Sequence, residues 1–237
     1  MKLAIVIPTY NEAETIPSLI KELFEKIKHL VEKLDILIID DSSPDGTADI
    51  VRGLEKKYEK ITVIQRPKKM GLGAAYKEGF RHVLEKFDSE FVVQMDADHS
   101  HRPTEIPNML EKIKNFDFLI ASRHVSGSNI IGWGIGRKAT HSVAGTIARL
   151  CAKIEIKDST SGFRMFKKKT LEKIDFEKIR SDGFAFQIEV LYQLKQLDMK
   201  GLEVPTVFVN RTEGSSKMGS SEMMQFITMC ISYIGRK

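Results

Sequence analysis

The chain has 237 residues, 42% of them hydrophobic and only 7 of them proline, enough apolar material for one large buried core and too much for disorder. Lys and Arg number 37 against 32 acidic residues, a net charge of +5, which favours phosphates on a small substrate or a lipid head group and does not single out nucleic acid. The 2 cysteines, Cys151 and Cys230, stand too far apart in sequence for a metal knuckle or disulfide framework, so buried thiols in a reducing compartment are expected.

The opening "MKLAIVIPTYNE" carries too short an apolar run before Pro8 for a signal peptide and is expected to be a strand leaving a sheet. Apolar runs at 3–7, 36–39, 61–64, 91–95 and 118–121 alternate with helical patterns at 12–30, 46–58, 73–86 and 104–114. That alternation predicts βαβ units and a parallel sheet covered on both faces by helices. Asn11, ahead of Glu12 and Glu14, is the expected cap of the first helix. After residue 122 the rhythm changes to a Gly/Ser loop at 126–136, a basic amphipathic segment at 137–154, a strand-like "SGFRMF", a helix at 184–197 and a strand at 202–209. No linker separates this part, and no stretch reaches the ~20 apolar residues of a membrane-spanning helix.

Ligands of open parallel sheets gather outside the carboxyl ends of the strands. There the first strand delivers Pro8 to Glu12, the second Asp40 and Asp41, the fourth Asp96 and Asp98, and the fifth Ser122 and Arg123. "GLGAAYKEG" at 71–79 is no dinucleotide fingerprint, because it follows the third strand and lacks the third glycine, so its glycines are expected to pack a helix. Asp96 and Asp98 share a face of an extended strand, where two carboxylates about 6 Å apart repel by roughly 3 kcal/mol. A divalent cation bridging them to a phosphate removes that cost, and oxygen ligands suit Mg²⁺ or Mn²⁺. His99 and His101 leave open a hydrolase-type metal site of two Asp and two His.

"IVIPTYNEAETI", "LIIDDSSPDGT", "MGLGAAYKEGF", "MDADHSH" and "ASRHVSG", followed by "DSTSGFRMF" and "NRTEGSSKM", resemble in this order the family 2 glycosyltransferases of GT-A fold, in particular the dolichyl-phosphate (polyprenyl-phosphate) mannosyltransferases. The resemblance covers nearly the whole chain. It implies an α/β, Rossmann-like, mostly parallel sheet flanked by helices, with amphipathic helices towards the C-terminus. Residues 1–122 would form the nucleotide-sugar half, 123–218 the acceptor half and 219–237 a membrane-interface helix of one GT-A domain.

By the same resemblance Pro8, Tyr10, Glu12, Ile39 and Asp41 form the nucleotide pocket, with Asp41 on the base, while Asp96, Ala97 and Asp98 hold the metal and the donor diphosphate. Ser100 stands where relatives carry a further metal ligand, and its short hydroxyl argues against coordination. Arg123, Arg211 and Lys217 match cations that face donor or acceptor phosphates, and Arg137 one near the lipid phosphate. Asp98 and Arg123 take the catalytic roles.

The implied reaction is inverting transfer of mannose from GDP-mannose to dolichyl or polyprenyl phosphate. An anionic phosphate acceptor needs no general base, and Glu189, near the position of a base in related transferases, is as readily structural. UDP-glucose as donor is the alternative within this chemistry, and a non-catalytic sugar-nucleotide-binding module the alternative outside it. The expected location is the cytosolic face of a membrane, touched by two amphipathic segments. At 137–154, Lys138, His141, Arg149 and Lys153 oppose Val143, Ile147, Leu150 and Ile154; at 221–235, Met223, Met224, Ile227, Cys230, Ile231 and Ile234 oppose Ser221, Gln225, Thr228 and Ser232. Members of the subgroup either continue into transmembrane helices or rely on a small membrane subunit, and both arrangements suit a chain ending in "YIGRK".

Overall fold

The computed structural model describes residues 1–210, together with 226, 228–230 and 233. β1 (Lys2–Thr9) leads through α1 (Ile16–Ile27) to β2 (Lys33–Asp40), through α2 (Thr47–Glu55) to β3 (Ile61–Gln65), and through α3 (Leu72–Lys86) to β4 (Phe91–Gln94). These strands pair in parallel in the order β3-β2-β1-β4. Their two-residue period splits the core into two layers. Ile5, Ile7, Ile36 and Ile38 face a layer holding Leu19, Leu23 and Val51 of α1 and α2. Ala4, Val6, Leu37 and Ile39 face the opposite layer with Tyr76 and Phe80 of α3. Gly79 lets α3 lie flat on the sheet, since a Cβ there would come within 2.5 Å of Val6 Cγ1.

α4 (Ile106–Lys112), β5 (Phe118–Ser122), β6 (Asn129–Ile131) and α5 (Ile135–Ala152) follow, then β7 (Arg164–Lys167), α6 (Lys168–Leu171), α7 (Gly183–Gln196), β8 (Gly201–Pro205) and β9 (Val207–Val209). β7 enters the middle of the sheet antiparallel to both β4 and β5, completing the order β3-β2-β1-β4-β7-β5-β8. The sequence run at 202–209 divides at Thr206: β8 joins β5, and β9 pairs with β6 in a separate two-stranded sheet. Glu105 fixes this break, accepting from Thr206 Oγ1 at 2.6 Å and from the Val207 N–H at 2.9 Å.

One expectation needs correction. The first helix starts at Ile16, and Asn11 is not its cap: Asn11 takes a left-handed φ of 60°, and Thr15 holds the cap position with its hydroxyl turned back to Glu12 and not onto the helix N–H groups. The cause is the loop after β2, whose Ser43, Thr47 and Asp45 side chains each take up, at 3.0 Å, one of the N–H groups of Asn11, Glu12 and Ala13. In α5 the core-facing seam is made of small residues, Gly145, Ala148 and Ala152, while Ile135 (89% exposed), Leu150 (74%) and Val143 (60%) face outward. Both cysteines are free, Cys230 buried and Cys151 half-buried; their side chains hydrogen-bond to each other, and burial pushes the Cys230 thiol up to about 12. Met229 and Tyr233 are buried in the same apolar layer, Tyr233 stacked on Tyr192 of α7 at 4.1 Å. Phe226 packs against the same layer; of the expected interface helix at 221–235, residues 221–225, 227, 231, 232, 234 and 235 lie outside the described residues.

Candidate active site

At the carboxyl ends of β1, β2 and β4 the chain leaves the sheet on one rim, and two clefts meet there. The first, about 520 Å³, has Pro8, Tyr10, Glu12, Asp41, Ala97 and Asp182 on its walls. The second, about 370 Å³, is walled by Ser100, Arg123, Trp133, Arg137, Phe184 and Phe208. Asp96 and Asp98 belong to both, as do Thr160 and Gly162 of the loop before β7.

Neighbours orient each aspartate. Tyr76, entirely buried in α3, donates its hydroxyl to Asp96 Oδ1 at 3.0 Å, and the Asp96 N–H donates to His101 Nδ1 at 2.9 Å. His101 is stacked on Phe163, with ring centroids 5.1 Å apart. Asp98 Oδ1 accepts from the Ser100 N–H at 3.0 Å and from its hydroxyl at 2.6 Å. Ser100 thus steadies Asp98 through both its N–H and its hydroxyl. His99, with a left-handed φ of 58°, turns towards α1, its Nε2 2.8 Å from Ser18 Oγ. The two-Asp, two-His set is not assembled, because a left-handed residue after Asp98 sends that ring away from the rim.

The nucleotide-pocket residues divide by where the strand pleat points them. Pro8, Tyr10, Glu12, Ala97 and both aspartates reach the first cleft. Ile39 does not: it is fully buried in the α3 layer, because alternation along β2 turns it into the core. Asp41 is on the wall, yet its carboxylate is engaged by the buried Arg66 guanidinium and by the N–H groups of Met70 (3.1 Å) and Gly71 (3.0 Å). It thus fixes the turn into α3. Lys69 rests 3.7 Å over the Tyr10 ring on the same wall.

In the second cleft Arg123 is paired with Asp158, Nε to Oδ2 at 2.8 Å and NH2 to Oδ1 at 2.7 Å, with Thr160 Oγ1 3.0 Å from NH2. Burial raises the Asp158 carboxyl, but the bonds and charge of Arg123 outweigh it and hold the group at about 2. The guanidinium groups of Arg137 and Arg123 lie 4.5 and 5.5 Å from the Trp133 ring, and Arg137 NH1 donates to Asn210 Oδ1 at 3.0 Å. Arg211 and Lys217 lie outside the described residues. Glu189 is on neither cleft; its Oε2 accepts from the N–H groups of Arg180 (2.9 Å) and Ser181 (2.8 Å), tying down the turn before α7. Sequence reasoning missed Arg66, Tyr76 and Asp158. Only the position of Tyr76 and Asp158 inside the quoted motifs hinted at them.

Residues 4–175 match the model of Glycosyl transferase family 2. The undecaprenyl-phosphate mannosyltransferase of Micrococcus luteus is 36% identical over 218 residues, covering 92% of this chain and 88% of that one. The polyprenol monophosphomannose synthase of Mycolicibacterium smegmatis is 35% identical over 223 residues, 93% of this chain and 82% of its own. Among solved structures, glucosyl-3-phosphoglycerate synthase from Mycobacterium tuberculosis, in complex with Mn²⁺, UDP-glucose and phosphoglyceric acid, aligns with a TM-score of 0.65 at 18% identity, over 99% of this chain and 80% of that one. A mannosyltransferase from Pyrobaculum calidifontis in complex with GDP-Man and Mn²⁺ aligns with a TM-score of 0.62 at 16% identity, over 98% of this chain and 64% of its own. At such identities the likeness is one of fold.

Proposed function

This chain belongs to glycosyl transferase family 2 and is a glycosyltransferase, and from that premise we propose that it transfers mannose from GDP-mannose to a polyprenyl phosphate, with inversion and with Mg²⁺ or Mn²⁺. The observation that carries this reading is the meeting of two unlike clefts at Asp96 and Asp98: one lined by strand-end polar groups, the other by paired arginines and aromatic rings. The names of the relatives at 35–36% identity support the mannosyl group and the lipid phosphate, and the complexes of the structural neighbours support a divalent ion with a sugar nucleotide.

Asp96 and Asp98 would hold the cation, whose chemistry is to neutralise the donor diphosphate as its bond to the sugar breaks. Two carboxylates fixed by neutral hydroxyl donors, Tyr76 and Ser100, make a hard oxygen donor set of the right kind. Tyr10, Glu12 and Asp41 line the nucleotide end of the first cleft. Arg123 and Arg137, braced on Trp133, receive the acceptor phosphate in the second; Arg211 and Lys217, which by resemblance face donor or acceptor phosphates, lie outside the described residues. The acceptor oxygen is already anionic and attacks the anomeric carbon from the face opposite the departing diphosphate, so no side chain has to remove a proton. Asp98 and Arg123 act at the two ends of this displacement.

Membrane contact falls to the outward apolar face of α5, with the acceptor's tail leaving the second cleft beside it. Among the described residues no helix is long and apolar enough to cross a membrane. A small membrane subunit remains a partner to look for by co-purification.

The test offers labelled GDP-mannose or UDP-glucose with a polyprenyl phosphate, with and without Mn²⁺, and follows label into the organic phase. Metal-dependent transfer from GDP-mannose alone is the expected outcome, with Asp98→Asn losing at least roughly 100-fold. Transfer from UDP-glucose alone, or full activity in Asp98→Asn, overturns the reading.

A further inference from the structure

Behind the second cleft lies another cavity, about 300 Å³, between one face of α5 and the loop at 157–160. His124, His141, Arg149, Lys157 and Ser159 stand on its walls. Among the described residues eight buried polar side-chain atoms have no hydrogen-bond partner, and three of them, His141 Nδ1, Arg149 Nε and Ser159 Oγ, belong to these wall residues. A buried polar atom left unpaired is unfavourable, so three on residues around one cavity point to a ligand with several oxygen atoms. Arg149 Nε can only donate, which asks for an acceptor. Arg149 NH2 reaches Thr146 Oγ1 at 3.2 Å, and His141 Nε2 is 2.9 Å from Thr160 Oγ1.

The charge balance decides between two occupants. The ligand atoms of His124, His141 and Asp158 lie within 4.8 Å of one another, which by distance alone would suit a metal ion. Both Asp158 oxygens, however, are held by Arg123, and Arg149 and Lys157 add positive charge to the walls. Glu203 does not offset them, since its carboxylate accepts from the N–H groups of Lys157 and Asp158, each at 2.9 Å, and it is not on the wall.

We propose that this cavity is a second oxyanion site, distinct from the acceptor cleft, that takes a phosphate group through Arg149, Lys157, His124 and Ser159. Its phosphate comes either from free solution or from the head group of a membrane lipid lying against the exposed face of α5. His141 and Thr160 form part of both this cavity and the second cleft, so an anion here sits directly behind the acceptor.

Inorganic phosphate is titrated into the full chain while the His124 and His141 imidazole resonances are followed. Saturable shifts are expected in the wild type, with affinity at least roughly 10-fold weaker in Arg149→Ala/Lys157→Ala and restored by Arg149→Lys/Lys157→Arg. Sedimentation with vesicles of phosphatidylcholine containing phosphatidylglycerol separates the two sources. If the double variant also loses vesicle binding and phosphate competes for it, the ligand is a head group; if vesicle binding is unchanged, the site takes a free oxyanion. Absence of imidazole shifts, or equal phosphate affinity in the double variant, overturns the proposal, as does stoichiometric Zn²⁺ binding at these histidines with no response to phosphate. The titration needs no sugar transfer, so its outcome is independent of the transfer assay.

Discussion

Tyr76 illustrates how a residue that touches no cleft can still govern one. Burial first, then the charge of Asp96, pushes its phenol well above the ordinary value, so it stays a donor to Asp96 Oδ1. Replacing it by Phe removes one hydrogen bond to a charged group, worth roughly 1.5–3 kcal/mol. Tyr76→Phe is therefore expected to raise the Mn²⁺ concentration needed for half-maximal transfer by about 10-fold, while nucleotide affinity without metal stays the same. Equal weakening of metal-free nucleotide binding would mean that Tyr76 merely supports the cleft. From the sequence, Asp96 and Asp98 were legible because two adjacent-face carboxylates after an apolar strand demand a reason. Their supports were not: the Tyr76 contact depends on which face of α3 meets the sheet, and the Arg123–Asp158 pair joins residues on opposite sides of α5.

At the scale of elements, hydrophobic period located β1 to β5 and the helices between them, because fully buried parallel strands leave an unbroken apolar run. It failed where pairing is set by distant partners. The direction of β7 goes with its pairing between β4 and β5, while the break at Thr206 depends on Glu105 and the late start of α1 on Ser43, Asp45 and Thr47. For α5 the sequence displayed the apolar and basic stripes but not the small-residue seam that meets the core, nor the burial of Ile154 just past its end. Ala148 and Ala152 make the contact, as small residues allow close approach, and Ile135, Val143 and Leu150 remain outside. Val143→Glu/Leu150→Glu is expected to cut binding to phospholipid vesicles at least roughly 10-fold while leaving transfer to a short, detergent-soluble acceptor unchanged. Undiminished vesicle binding would remove α5 from the membrane contact.

For the molecule as a whole, acid stability follows from the ionisable groups around the second cleft. Burial, then the charge of Arg123, depresses His141 to about 4 from an ordinary 6.5. Between those values the unfolded chain binds the extra proton and the native one does not, so stability is complete above pH 6.5 and declines as pH falls towards 4. Asp158, held at about 2, adds a second loss as pH falls below 3.8. Urea melts at pH 7.5, 6.5, 5.5 and 4.5, values chosen to span roughly the first window, should show this decline. His141→Gln should flatten it, and an unchanged slope in that variant would show that other groups set the acid limit.

The antiparallel strand at the centre of the sheet also bears on how the protein is made. Both neighbours of β5 follow it in the chain, so β5 leaves the ribosome with nothing to pair with, and β4 waits as an open edge. When residues 164–167 arrive they bridge β4 and β5, and the loop just before them brings Thr160 and Gly162 beside Asp96 and Asp98 and Asp158 onto Arg123. A nascent chain that stalls before this point presents the open edge of β4 and a wholly unpaired β5, which is where chaperone binding or pairing between neighbouring polysomal chains would concentrate.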